Sequence, residues 1–224
     1  MADHQETKVV DLSHVIEHGM TTYPGLPGPH ICDFWERETT AGNYEDGSTF
    51  QIGRIDMVAN TGTYVDSPFH RYAEGKDLAD LPLPSLADLP GLVVRQPWES
   101  DVAVGVGAFE GLEVGGKAVL VHSGWDRHWR TDRYGDGHSF LTPEAADWLI
   151  AGGAALVGID SNNIDDTRQR TRPVHTKLLG ADIPICEHMT GLGQLPDSGF
   201  RFSAVPPKVR GMGSFPVRAY AVLG

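Results

Sequence analysis

The second half of the chain alternates short apolar runs with helix signals, and this alternation limits the fold more than any other feature. Continuous apolar runs predict three buried strands, at 118–121, 155–160 and 183–187. Between them, one helix is predicted from Pro143, with Thr142 as its N-cap, to a stop at Gly152-Gly153. A second, shorter helix is predicted over Val174–Leu179. This order implies parallel strands with right-handed crossovers, which is typical of the α/β class.

The first half of the chain carries strand and turn signals instead. Val9–Leu12 and Thr49–Ala59 are predicted strands, and the prolines of Leu81–Pro90 exclude a long helix there. At the other end, apolar alternation predicts one closing strand over Phe215–Leu223. No repeat or long linker divides the chain. We therefore expect one compact α/β domain over 1–224, with a strand-rich first half and a βαβαβ second half.

Charge and hydropathy exclude several classes of partner. Lysine and arginine number 18 against 30 aspartate and glutamate, a net charge of −12 that argues against nucleic-acid and anionic-membrane partners. No apolar run approaches the length of a membrane span. The segment 1–6 is polar and acidic, unlike a signal peptide. We therefore expect a cytoplasmic protein that acts on a small molecule.

Polar residues cluster where the predicted parallel strands end. Asp160 ends one strand, His175 lies at the start of the next helix, and Glu187 ends the following strand. Because ligands bind beyond the carboxyl ends of such strands, we expect His175 and Glu187 to lie near each other at that edge. The acidic pair Asp165-Asp166 follows Asp160 and is predicted to be solvated.

The densest polar segment runs from Asn60 to His70. Asp66 and His70 lie four residues apart in it, and both side chains are ligands suited to Zn²⁺ or Mn²⁺. Asn60 can add a carbonyl oxygen. The spacing alone is common, however, and taken alone it favours a turn-capping aspartate and a surface histidine.

This segment, Asn60-Thr61-Gly62-Thr63-Tyr64-Val65-Asp66-Ser67-Pro68-Phe69-His70, resembles the signature His-x-Gly-Thr-His-x-Asp-x-Pro-x-His of the cyclase family. That family includes bacterial kynurenine formamidase and isatin hydrolase. Further matches follow in order along the chain, at 10–13, 23–25, 121–125, 157–160, 175–187 and 216–219. The resemblance implies a swivelling β/β/α fold, a homodimer or homotetramer, and metal-dependent opening of amides, lactams or lactones.

The resemblance also implies roles for particular residues. Asp66, His175 and Glu187 match metal ligands, and His70 matches the catalytic acid/base. Asn60 and Tyr64 replace two ligand histidines, so we expect at most one divalent metal ion per chain, Mn²⁺ or Zn²⁺, with Asn60 kept as a weak candidate ligand. Two interpretations of Tyr64 stay open: it donates a hydrogen bond to a developing oxyanion, or it fills the vacated metal position.

The leading functional hypothesis is a hydrolase that opens a small amide, lactam or lactone with a metal-activated water and His70 as acid/base. Tyr23, Phe69 and Trp125 are candidates for the wall of an aromatic-substrate pocket. The alternative is a catalytically silent small-molecule binder, or a metal-free cyclase or dehydratase that uses His70 and Tyr64. Sensitivity to EDTA separates the metal-dependent hypothesis from the metal-free one.

Overall fold

Strands dominate the structure, a computed structural model that describes residues 8–224. The polar segment 1–6 considered above lies outside the described residues. The strands are β1 (Lys8–Asp11), β2 (His30–Trp35), β3 (Ile52–Asp56), β4 (Tyr64–Asp66), β5 (Leu89–Arg95), β6 (Ala103–Val104), β7 (Ala118–His122), β8 (Phe140–Leu141), β9 (Leu156–Ile159), β10 (Ile185–Glu187), β11 (Ser198–Ser203), β12 (Ser214–Pro216) and β13 (Tyr220–Leu223). The helices are α1 (Arg37–Thr40), α2 (Pro143–Ala151) and α3 (Pro173–Gly180), with short 3₁₀ turns between strands.

The predicted βαβαβ unit is confirmed in the second half. Strands β7, β9 and β10 pair in parallel, with α2 and α3 as the crossover helices. Thr142 caps α2, because its hydroxyl accepts a hydrogen bond from the backbone N–H of Ala145 at 3.2 Å. Along β7, Val119 and Val121 pack in the same buried cluster as Leu149 of α2, whereas Leu120 belongs to the cluster on the other face of the sheet.

The main sheet has nine strands in the order β1-β13-β11-β5-β7-β9-β10-β4-β12. Strand β12 forms one end of the sheet, and β13 lies next to the other end. Because only residues 217–219 separate these two strands along the chain, the two ends of the sheet must lie close together, and the sheet is curled. The prediction of one closing strand over Phe215–Leu223 is therefore wrong. The backbone changes partner at this point: Val217 donates to the carbonyl of Thr63, and Ala219 accepts from Leu12, each at 2.9 Å.

The strand-rich first half is also confirmed, although part of it stands apart from the main sheet. The predicted strand at Thr49–Ala59 is shorter, at Ile52–Asp56, and pairs with β2 in a separate antiparallel ribbon. The ribbon exposes several apolar side chains, among them Phe34 and Ile55. Within residues 8–224, no helix is long and apolar enough to cross a membrane. The fold is thus a mixed α/β domain with a curled sheet.

Candidate active site

The candidate site lies where β4, β10 and the start of α3 meet. Strand β4 ends at Asp66 and continues into a 3₁₀ turn, Pro68–His70. It pairs antiparallel with β10, so that Tyr64 lies opposite Glu187. The first turn of α3 brings His175 to the same edge, with its Nε2 atom 3.5 Å from Glu187 Oε1. The expected proximity of His175 and Glu187 is therefore observed.

Asp165 fixes the orientation of His175. Its carboxylate accepts hydrogen bonds from the backbone N–H groups of Val174 and His175 at 2.7 and 3.0 Å, and from His175 Nδ1 at 2.6 Å. Nε2 is therefore left to face Asp66 and Glu187. The expectation that Asp165 is solvated is wrong: its side chain is fully buried, because it satisfies the first turn of α3 and the imidazole together.

Asp66 is fully buried, and its two oxygens differ in their surroundings. Oδ1 accepts a hydrogen bond from Ser214 Oγ. Oδ2 has no hydrogen-bond partner among residues 8–224 and lies 3.5 Å from His175 Nε2. Burial acts to raise the pKa of Asp66, but the nearby imidazoles of His175 and His70 hold it below its ordinary value. Asp66 is therefore a carboxylate with one free, buried lone-pair site.

The charge of His175 follows from these carboxylates. Burial acts to lower the pKa of the imidazole, but Glu187, Asp165 and Asp66 outweigh it and raise the pKa to about 10.

Across residues 8–224, one group of three metal-ligating side chains has its ligand atoms within 4.8 Å of one another, and its members are Asp66, His70 and His175.

Glu187 is buried and tied to Tyr64. The Tyr64 hydroxyl donates to Glu187 Oε2 at 2.6 Å, and the backbone N–H of Ile164 donates to Oε1 at 2.6 Å. Burial raises the pKa of Glu187 to about 7 and that of the Tyr64 phenol well above its ordinary value. A phenol has only one proton, so Tyr64 cannot serve an oxyanion while this bond holds. Of the two interpretations of Tyr64, the geometry favours the one in which it fills the vacated position.

His70 is held at Nδ1 and open at its other edge. Its side chain is 35% exposed, and Nδ1 lies 3.0 Å from Ser214 Oγ. Because the Ser214 proton goes to Asp66, the serine oxygen accepts from His70 Nδ1–H. That assignment leaves the lone pair of a neutral His70 on Nε2. The ring centroid of His70 lies 5.9 Å from that of His175.

A pocket of about 230 Å³ opens over these groups. Its lining consists of Tyr23, Leu26, Asn60, Tyr64, His70, Arg71, Asn163, Arg172, His175 and Glu187.

The three aromatic candidates for the pocket wall separate in the structure. Tyr23 lines the pocket, whereas half-buried Phe69 is not among the lining residues. The prediction that Trp125 lines the pocket is wrong. Trp125 is 1% exposed, donates its indole N–H to the carbonyl of Tyr134 at 2.9 Å and packs edge-to-face on Trp98. It belongs to the core, because the apolar ring and its single donor are both satisfied there.

Several residues of the site were not predicted from the sequence: Asp165, Ser214 and the pocket-lining residues Leu26, Arg71, Asn163 and Arg172. Asp165 lies in a polar run for which the sequence predicts exposure to solvent. The one local sign of a capping role is that it precedes His175, in the first turn of α3, by ten residues. Ser214 lies 148 residues from Asp66, and no local signal marks it. Arg71 and Arg172 line the pocket, and Arg71 is recognisable only as the neighbour of His70.

Residues 10–166 match the family model Cyclase, described as "Putative cyclase". The match covers more than half of the chain, so the chain belongs to the cyclase family. This finding agrees with the resemblance drawn from the segment Asn60–His70.

Individual relatives cover almost the whole chain. It is 27% identical to a kynurenine formamidase from Salinibacter ruber over 212 residues, which covers 94% of this chain and 95% of the relative. It is 25% identical to a kynurenine formamidase from Bacillus anthracis, with 95% and 96% covered.

Solved structures establish the same fold. An isatin hydrolase bound to the product analogue thioisatinate superposes with a TM-score of 0.82 at 20% identity, covering 97% of this chain and 93% of that one. A potential metal-dependent hydrolase with cyclase activity gives 0.78 at 24% identity, with 96% and 98% covered. The expected fold class is thus confirmed.

Proposed function

We propose that this chain is a metal-dependent hydrolase that opens a small amide, lactam or lactone. The observation that carries the proposal is the free Oδ2 of Asp66, a buried carboxylate oxygen without a hydrogen-bond partner in residues 8–224, beside His175 Nε2 at 3.5 Å. A buried polar atom without a partner is costly unless something outside the chain satisfies it. The names of the kynurenine formamidase and isatin hydrolase relatives support this reaction class.

The residues present fit one divalent metal ion. Asp66 Oδ2 and Glu187 Oε1 each lie 3.5 Å from His175 Nε2, too far for a good hydrogen bond. The bond from His175 Nδ1 to Asp165 is the support that metal-binding histidines usually have. Two carboxylates and one imidazole suit Mn²⁺ or Zn²⁺. We propose that Asp66, His175 and Glu187 hold the ion, with Asn60 beside them in the pocket wall.

When bound, the ion supplies Lewis acidity that lowers the pKa of a water molecule and polarises a carbonyl group. His70 moves the protons. Its Nε2 accepts the proton of the attacking water as the new carbon–oxygen bond forms. The same Nε2 then returns that proton to the leaving nitrogen or oxygen as the carbon–nitrogen or carbon–oxygen bond breaks. Ser214 holds the opposite edge of the ring, and Tyr64 keeps the Glu187 side chain in place.

Metal depletion tests this proposal. We expect about one metal ion per chain in the purified protein, and hydrolysis of formanilide or isatin that EDTA abolishes and Mn²⁺ or Zn²⁺ restores. The metal content is measured by elemental analysis, and product release is followed by absorbance. Hydrolysis that persists in the metal-depleted protein, or the absence of turnover across amides, lactams and lactones in the metal-loaded protein, would contradict the proposal.

A second candidate is a metal-free or silent member of the family, and one observation favours it. Both oxygens of Glu187 already accept hydrogen bonds, from Tyr64 and from Ile164, as they would in a protein that needs no ion. This candidate predicts no bound metal after incubation with Mn²⁺ or Zn²⁺. The elemental analysis described above therefore decides between the two candidates.

A further inference from the structure

Two arginines line the pocket without a carboxylate partner. Arg71 is exposed and directly follows His70, and half-buried Arg172 directly precedes α3. Neither guanidinium forms a salt bridge with any carboxylate of residues 8–224. Seven other arginines of residues 8–224 pair with a carboxylate, for example Arg168 with Asp166 and Arg218 with Asp11, each at 2.8 Å. The remaining unpaired arginines of that range, Arg37, Arg54, Arg133 and Arg170, do not line the pocket, whereas Arg71 and Arg172 do.

Hydrogen bonds to uncharged groups orient the Arg71 and Arg172 side chains, and they leave several guanidinium N–H donors without an acceptor in residues 8–224. Arg71 donates from Nε to Thr176 Oγ1 at 3.1 Å, which keeps its stem against α3. Arg172 donates from one terminal nitrogen to the carbonyls of Gln169 and Thr171, at 2.6 and 2.8 Å. Because a guanidinium has five N–H donors, each arginine keeps donors that no group within 8–224 accepts.

Charge is therefore separated across the pocket. The buried Glu187 carboxylate lies at its floor, whereas Arg71 and Arg172 are the more exposed charges of its lining. Tyr23 and Leu26 add apolar surface to the same lining. A neutral ligand would use the floor and the apolar wall but would leave both guanidinium groups without a partner.

We propose that Arg71 and Arg172 bind a carboxylate carried by the substrate itself, so that the preferred substrate is an amide or lactam of a small aromatic acid. This inference rests on the proposed function for the reaction, but the anion site is a separate claim. Guanidinium groups match carboxylates in geometry and give strong, charge-assisted hydrogen bonds. The carboxylate that hydrolysis creates forms at the reacting carbon beside His70, so it is distinct from the one bound at the rim.

Equilibrium binding tests the anion site without turnover. Benzoate and its neutral analogue benzamide are titrated into the metal-loaded protein and followed by calorimetry. We expect benzoate to bind about tenfold more tightly than benzamide, and Arg71→Gln or Arg172→Gln to weaken benzoate about tenfold while benzamide is unchanged. Arg37→Gln, which removes the same charge at a residue that does not line the pocket, is the matched control and should change neither affinity.

Two binding results would overturn the inference. One is equal affinity for benzoate and benzamide. The other is a benzoate affinity that survives both arginine substitutions, since that would place the carboxylate on the metal instead. Thermal unfolding of each variant checks that the fold is intact.

A pair of substrates completes the test. Formanilide with an ortho carboxylate is compared with its methyl ester, and we expect kcat/KM to favour the carboxylate about tenfold in the wild type and not in Arg172→Gln. Hydrolysis of both compounds at equal rates would overturn the anion site and leave the proposed function standing. Arginine-dependent binding of benzoate without hydrolysis of any amide would support the anion site and overturn the proposed function.

Discussion

The hydroxyl of Tyr64 donates to Glu187 Oε2 across 2.6 Å, at a position where the cyclase signature has a ligand histidine. The phenol thus satisfies one oxygen of the Glu187 carboxylate. Asn60 stands where the signature has a further histidine.

We expect the double substitution Asn60→His, Tyr64→His to raise the metal content from about one ion per chain to about two, because it restores both imidazoles of the signature and frees Glu187 Oε2. Elemental analysis after saturation with Zn²⁺ gives the count. Tyr64→Phe is the control, since it frees Glu187 but adds no ligand, and it should stay near one ion. An unchanged count in the double variant would mean that the lost histidines do not set the stoichiometry.

Asp165→Asn should weaken metal binding about 10- to 100-fold, the usual effect of losing a carboxylate behind a ligating histidine. The amide oxygen can still accept one hydrogen bond, but it is a weaker acceptor than the carboxylate and holds the Nδ1–H of a neutral, metal-ligating ring less strongly. Competition with a fluorescent zinc chelator measures the change. Asp166→Asn is the matched control at the next residue, because Asp166 pairs with Arg168 and does not touch His175. Equal losses in the two variants would rule out a specific role for Asp165.

Ser214→Ala should reduce kcat about tenfold and leave the metal content unchanged, because the hydroxyl orients His70 and directs its Nδ1 proton. Nitrogen-15 NMR of the imidazole reports the tautomer directly. In the wild type at neutral pH we expect the Nδ1–H form of neutral His70, and in Ser214→Ala a mixture of both forms. Ser214→Thr keeps a hydroxyl and should retain the wild-type spectrum. A wild-type spectrum in Ser214→Ala would show that the serine does not set the tautomer.

His70→Ala and Glu187→Ala should separate catalysis from metal binding. We expect His70→Ala to abolish turnover at an unchanged metal content, because the ring acts as acid/base, and Glu187→Ala to lose the metal. Both are measured on the same preparations by elemental analysis and by hydrolysis of formanilide. Loss of metal from His70→Ala would reassign His70 as a ligand, in line with its closeness to Asp66 and His175. Full activity in both variants would mean that the site lies elsewhere.

Acid should destabilise the protein through His188. This ring is fully buried, and burial, followed by the charge of His14, lowers its pKa from 6.5 to about 3. Protonation is therefore disfavoured in the folded state, so the stability that the neutral ring provides is present above about pH 6.5 and is lost as the pH falls toward 3. Between about pH 8 and about pH 5 the expected loss is about 2 kcal/mol.

The comparison variant is His188→Asn, because His188 has φ of 53°, a left-handed conformation that asparagine tolerates. Urea unfolding gives the free energy of unfolding of the wild type and of the variant at the two pH values. The difference between the two proteins should be smaller at the acidic pH. Burial raises the pKa of Asp160 to about 7, so protonation of this carboxylate favours the folded state as the pH falls. This contribution opposes that of His188, but it is present in both proteins and cancels in the comparison. His30→Gln, at an exposed position, should show no narrowing. A gap that stays constant between the two pH values would contradict the expected role of His188.

The parts of the fold that depend on local signals could be predicted from the sequence. The N-cap Thr142 and the apolar run of β7 are examples, since their structure follows from their immediate neighbours. The proximity of His175 and Glu187 followed as well, because parallel topology fixes which strand ends share an edge. Ser214 could not be found in this way, since it reaches Asp66 through a strand pairing between distant segments. The interior position of Trp125 depends in the same way on three-dimensional packing against Trp98.

The position of β13 has a consequence for how the protein is made. This strand lies between β1 and β11, with Leu223 opposite Lys8, and within the described range β1 has no other strand neighbour. A chain leaves the ribosome from its N-terminus, so β1 waits, unpaired, until residues 220–223 emerge. Ser214, on β12, likewise emerges long after Asp66, its partner on β4. The nascent chain therefore cannot complete either its main sheet or the candidate site before residues 214–223 have emerged.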